Sequence, residues 1–455
     1  MTTFCGLMRW AGMRTTQLIL AWLALAAIGL LPAAAAAPWP PEVQARLAEL
    51  SRAARPGVAL VEELVLERRR IAQLPDPEAR REANRLLVRE HVRAAQEAQE
   101  RRLLRAANAP DFLDEQLLWF WFNHFNVSVQ RQPVGLLVAD YEDKAIRPHI
   151  RGRFCDMLRA VTFHPAMLFY LDNVQNAAGR INENFARELL ELHTLGVDGG
   201  YTQADVQELA RILTGLGLPE PGSGRTSVVD PKRHDMGEKV LLGQRIPPGG
   251  EDEIDAALQL LCRHPATARR VARKLAQYFE ADEPSQALVH EVAAAFERSG
   301  GHLGQATQAL LGSPHRQKAG PGRFLEPYRY VLHAVRMLRG DRPVTNVAPI
   351  VRWLSELGQP VYGRRTPDGY PMHTRDWASP GQMAARFEVA REMSVAFPRL
   401  FPSGPPPHVP DVLSHAAAIL DPHLRPGTRQ ALSAAGSPEQ ALAVLLSSPE
   451  VMRWR

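Results

Sequence analysis

Apolar positions recur every three to four residues over most of the chain, the spacing of helices that each bury one face. Asp111, following Pro110, predicts a capped helix start. The run Trp119-Phe120-Trp121-Phe122 beyond it is apolar on every side, as a buried helix would be. The same periodicity predicts helices near 136–147, 151–162, 165–173, 182–194, 203–216, 252–263, 265–280, 285–298 and 303–312. Others follow near 324–338, 346–357, 380–396, 409–420 and 426–453, the last with a break. Strand signals are sparse: 226–229 and 239–246 predict one hairpin around Asp235-Met236-Gly237. The expected fold is mainly α, as one large multi-helix domain or two helical lobes, with a small β-hairpin near 226–246.

The segment 58–107 is dense in Glu, Arg, Ala and Leu and breaks at Pro75 and Pro77. Its charges alternate in sign, which favours solvated helix faces over a nucleic-acid-binding arm. The whole chain agrees: 54 basic against 49 acidic residues give +5 over 455 residues, too dilute for a dedicated nucleic-acid binder. The stretches 305–314 and 440–449 echo each other, both amphipathic and both ending in Ser-Pro; they mark either a duplicated lobe or a shared stop signal.

Arg9 and Arg14 precede an apolar run, 18–31, which Pro32 and five alanines follow. These are the parts of a secretory signal peptide cut after Ala35 or Ala36. As a helix the run spans roughly 21 Å, short of the ~30 Å of a bilayer core, so no stable span is expected after cleavage. The expected segments are a signal peptide (1–35), charged N-terminal helices (36–110), a helical core with the motif region (111–312) and a C-terminal helical lobe (313–455). The expected location is periplasmic or secreted. Of the 3 cysteines, Cys155 and Cys262 would remain, either paired or as buried free thiols.

Candidate chemistry concentrates in 119–245. At about 100° per residue, Glu183, Arg187, Glu191 and Thr194 share one helical stripe, with Glu188 and His193 off it. The bland reading is an intrahelical ion ladder. The functional one is a polar cleft in which Glu183 and Glu191 are acid and base and Arg187 sets their charge. His124, His164, His234 and Asp235 would then bind substrate, the last two from a loop with outward-reaching side chains. A divalent metal is the alternative cofactor, with His124, His164, Glu183 and Glu188 as candidate ligands, although Glu188-x-x-Glu191 departs from the Glu-x-x-His of di-iron bundles. His164-Pro165 and His264-Pro265 also have the form of helix starts, and Thr202 with Asp205 that of a capping box. Serine-hydrolase, nucleotide-loop and zincin motifs are absent.

The segment 182–203, Asn-Glu-Asn-Phe-Ala-Arg-Glu-Leu-Leu-Glu-Leu-His-Thr-Leu-Gly-Val-Asp-Gly-Gly-Tyr-Thr-Gln, resembles the signature of the bacterial domain-of-unknown-function family 1800. Trp-Phe-Asn-His-Phe, His-Pro-Ala-Met-Leu, His-Asp-x-Gly-x-Lys and Gly-Gln-Pro-Val-Tyr (358–362) resemble it too, in order over most of the chain. The resemblance implies an exported, mainly helical protein whose activity is open. It also implies an exported partner that looks like a phosphatase or sulfatase, since the two kinds of gene are often neighbours. Three readings follow: a hydrolase or lyase on a polysaccharide or other extracytoplasmic polymer, a metal-dependent oxidoreductase, or a non-enzymatic envelope assembly or maturation factor.

Overall fold

Several helix starts along the chain are set by short polar caps. In a computed structural model, residues 39–316, 322–402 and 407–454 are described; the signal-peptide expectation lies outside them. The 75–77 break is real: helix Gly57–Gln73 stops, and Asp76 restarts the chain by accepting from Glu78 N and Ala79 N, with Pro77 at the first helical position. The new helix, Pro77–Asn108, is charged and solvated over its first half. It then enters the core through Ala94, Ala98, Leu103 and Leu104. Several of its charges pair with distant segments, Glu90 and Glu97 with Arg52, and Arg101 and Arg105 with Asp143. Arg102 differs in its burial. It is fully buried against Glu142, which also binds Arg147 and the Tyr362 hydroxyl.

The aromatic helix Phe112–His124 is capped by Asp111 and buried on nearly every side. Trp119 stacks on Tyr328 at 4.1 Å from helix Pro327–Arg339. Beyond it the helix Val134–Tyr141 opens into a π turn at Glu142–Ile146. His164 and His264 each cap a helix by accepting the backbone N–H two residues on. Thr202 and Asp205 form the expected capping box.

Helices Glu251–Arg263, Pro265–Phe279, Gln286–Arg298 and Leu303–Gly312 follow within a residue or two of expectation. Residues Pro41–Arg455 form one compact unit. Cys155 and Cys262 are disulfide-bonded, with Cα atoms 5.5 Å apart, joining helix Phe154–Thr162 to helix Glu251–Arg263.

The β-structure of the described residues is three small antiparallel ladders, and their pairing corrects the expected hairpin. Val228–Val229 pairs with Leu216–Gly217, not with 239–246. Lys239–Leu241 pairs with Gln244–Ile246 around Leu242 and Gly243, both at positive φ, the turn geometry that suits a twisted hairpin. The third ladder joins Arg323–Phe324 to Arg453–Trp454. No helix among the described residues is long and apolar enough to cross a membrane.

Candidate functional site

The motif helix is not one α-helix. Asn184–Glu188 is α-helical, but Leu189–Thr194 is a π turn in which Thr194 Oγ donates 2.6 Å to Leu189 O, five residues back. A π turn takes up an extra residue, so the 100° register fails beyond Leu189. Thr194 leaves the expected stripe and is fully buried. Arg187 binds Glu183 Oε2 at 2.9 Å and Gln203 Oε1 at 2.9 Å, while Gln203 Nε2 donates to the same Glu183 oxygen at 2.8 Å. Glu183 and Arg187 thus form a partly exposed surface triad with Gln203. The Arg187–Glu183 contact is one rung of the ion ladder that the spacing allows, and Glu191 takes no part in it.

The Glu191 charge acts on the Tyr201 hydroxyl and, after burial, pushes the Glu188 carboxyl up; Arg187 opposes the rise. Glu188 also feels Asp368, which Arg364 holds at 3.0 Å in the long 358–379 loop. That loop is pinned across the motif segment by asparagines. Asn123 Nδ2 donates to Tyr370 O at 2.9 Å and Asn123 Oδ1 accepts from Tyr370 N at 2.6 Å. Asn126 Nδ2 donates to Arg364 O and Thr366 O, and the Tyr170 hydroxyl donates to Arg365 O at 2.8 Å. A Cβ at Gly369, at φ +77°, would lie 2.2 Å from Asn123 O, so only glycine lets the loop approach this closely.

Opposite the loop, helix Pro265–Phe279 presents Arg270, Lys274 and Gln277. Arg270 Nε and Nη2 donate to Leu192 O at 3.3 and 3.2 Å, closing a carbonyl at the end of the motif helix. Gly196, at φ +88°, makes room for it: a Cβ there would sit 2.9 Å from Arg270 Nη1. Lys274 is half-buried in surface terms, yet its ammonium lies deep among protein atoms. Burial first, then Arg270, pushes it down to about 7 against the opposing pull of Asp368. The charges of Glu188, Glu191 and Asp368 thus act on Tyr170, Tyr201, Arg270 and Lys274 from the motif helix and the loop.

The remaining expected residues have structural work. His124 Nε2 donates to His193 O at 3.0 Å while its Nδ1 has no partner, and burial holds the ring well below the usual imidazole range. It is a neutral core histidine. His164, besides capping its helix, donates from Nε2 to Asp140 Oδ2 at 3.1 Å, and Asp140 Oδ1 accepts from Gly57 N. His234 and Asp235 do not reach outwards. His234 is buried between Thr214 O at 2.8 Å and Glu253 Oε2 at 3.0 Å, and Glu253 Oε1 lies 2.6 Å from Lys239 Nζ, with both of those side chains fully buried. Asp235 is held to about 2 by the fork of Arg211.

The metal candidates His124, His164, Glu183 and Glu188 are not brought together. Among the described residues no group of three His, Cys, Asp or Glu side chains is placed to hold a metal ion. What sequence reasoning missed is Arg270, Lys274, Tyr170, Tyr201 and Asp368. The available signals were a basic i, i+4 pair on an amphipathic helix and the length of the 358–379 loop. No curated protein and no solved structure matches the chain. A family model described as a protein of unknown function, DUF1800, matches residues 17–453, and on that near-complete coverage the chain belongs to the DUF1800 family.

Proposed function

We propose that the protein is exported and acts as a hydrolase or lyase on an extracytoplasmic polymer, with Glu188 as proton donor and Glu191 as proton acceptor. The observation that carries this reading is a carboxyl pushed up beside a second carboxyl. Burial first, then the Glu191 charge, raises Glu188, and the Glu191 charge also acts on Arg270. A carboxyl of raised proton affinity beside a second carboxyl supplies the elements of acid–base bond cleavage, one giving a proton to the leaving oxygen and the other taking one. Export is supported by the Cys155–Cys262 disulfide, a bond that persists in oxidising compartments, and by the signal-like N-terminal pattern.

The test is turnover by the purified mature protein of a panel of envelope polysaccharides, read as new reducing ends or new carbon–carbon double bonds. Glu188→Gln is expected to lower turnover at least about a hundredfold with its melting temperature nearly unchanged. Equal turnover by that variant refutes the assignment.

One observation favours a second reading. The His164 and His234–Lys239 motifs are spent on buried internal networks. A non-enzymatic maturation factor for an exported phosphatase-like or sulfatase-like partner would need such rigidity and no turnover. Co-purification with that partner, undiminished by Glu188→Gln, would support it.

A further inference from the structure

Only five of the 54 basic residues are lysine: Lys144, Lys232, Lys239, Lys274 and Lys318. Helix Pro265–Phe279 carries arginine at 269, 270 and 273 and then a lysine at 274, one turn beyond Arg270. Two cations at i, i+4 repel unless something negative lies between them or one gives up its proton. Asp368 and Glu191 act on them from a distance, but among the described residues neither Arg270 nor Lys274 has a carboxylate within ion-pair distance. Arg270 spends Nε and Nη2 on Leu192 O, and Nη1 makes no hydrogen bond. The ammonium of Lys274 makes none either.

On the helix of Lys274 stands Arg270. From the aromatic helix and the motif helix come His124 and His193, which burial keeps neutral. From the 358–379 loop comes Asp368, already paired with Arg364. Glu191 and Tyr201 act on Arg270 from the motif side.

We propose that Arg270 and Lys274 receive the carboxylate of an acidic sugar unit, so that the polymer acted on at this site is a uronate-containing polysaccharide. The inference rests on the reading of the Glu188–Glu191 cluster as the polymer site, which the two cations adjoin. The carboxylate bridges the guanidinium and the ammonium, and binding there sets the polymer beside the carboxyl pair. Binding is coupled to proton uptake. With a free-protein value of about 7, Lys274 is mostly charged at pH 6 and mostly neutral at pH 8, and the incoming carboxylate restores its proton.

The experiment is calorimetric titration of the purified mature protein with a short galacturonate oligomer and with its neutral galactose counterpart, at pH 6 and pH 8. The expected result is binding of the galacturonate oligomer alone, about tenfold weaker at pH 8 than at pH 6, as the charged fraction of Lys274 falls. Lys274→Met should weaken binding at pH 6 by at least tenfold and remove the pH dependence. Lys274→Arg, permanently charged, should bind at pH 8 as the wild type does at pH 6. Any of three results overturns the proposal: no binding of the galacturonate oligomer at pH 6, equal binding of the neutral oligomer, or an unchanged pH profile in Lys274→Met. Glu188→Gln separates the two ideas, since it should bind the galacturonate oligomer normally. If it also retains turnover, the acid–base assignment fails while the anion site stands.

Discussion

His193 is fully buried and neither of its ring nitrogens has a partner. Burial first, then the neighbouring Lys274 and Arg270, holds its proton affinity down to about 3. An unfolded imidazole takes a proton near pH 6.5, so between 6.5 and 3 the unfolded chain binds a proton that the folded one refuses. Stability is therefore complete above pH 6.5 and falls as the pH drops, by up to about 1.4 kcal/mol per pH unit for each such group. His124 shifts in the same direction. Urea unfolding at a series of pH values should show this acid slope, and His193→Leu should make it shallower by one proton's worth; a variant with the wild-type slope would mean that His193 is not the group responsible. At this scale the sequence pointed to the Glu183–Arg187 pair, which forms, and to an Arg187–Glu191 pair, which does not. Glu191 and Arg187 are a turn apart on paper, but the π turn and the side chain of Gln203 decide whom each meets. Lys274 carried only its i, i+4 spacing from Arg270, because the burial that chiefly lowers its proton affinity comes from packing that the local sequence does not report.

Among the elements, the hairpin Lys239–Leu241 with Gln244–Ile246 is tied down more tightly than its length suggests. Lys239 and His234 converge on Glu253 of helix Glu251–Arg263. Asp205 accepts from Leu242 N, and Glu208 from Val240 N, which fastens the hairpin to helix Gln203–Ile212. Removing one member of a buried ion group leaves the rest unpaired, so Lys239→Met should cost roughly 3–5 kcal/mol by denaturant unfolding. Glu183→Gln, in the partly exposed triad, should cost under about 1 kcal/mol. Comparable losses in the two variants would contradict this ranking. Helix starts were legible because their caps are local: Asp76, Asp111, His164, Thr202 and His264 each satisfy a backbone donor two or three residues away. The hairpin register was not. Asp235-Met236-Gly237 has the composition of a turn, but the Asp235 carboxylate is claimed by Arg211, and the chain reverses at Leu242-Gly243 instead.

At the scale of the whole molecule, the mainly helical architecture was readable from periodicity alone, because amphipathic spacing reports which face is buried without saying against what. The pairing of Cys155 with Cys262, at a sequence separation of 107, was open until the helices that carry them were placed side by side. Closing a loop of that length restrains the unfolded chain strongly. Cys155→Ser combined with Cys262→Ser should lower stability by about 2–5 kcal/mol, and reductant should destabilise the wild type to a similar degree without affecting the double variant. The same bond has a bearing on survival outside the cell. The motif helix, the hairpin and the exposed turn at 222–225 all lie between the two cysteines. A protease that clips this turn leaves two fragments that are still one covalent molecule, migrating together until the bridge is reduced, so the chain can be nicked between the two cysteines without coming apart.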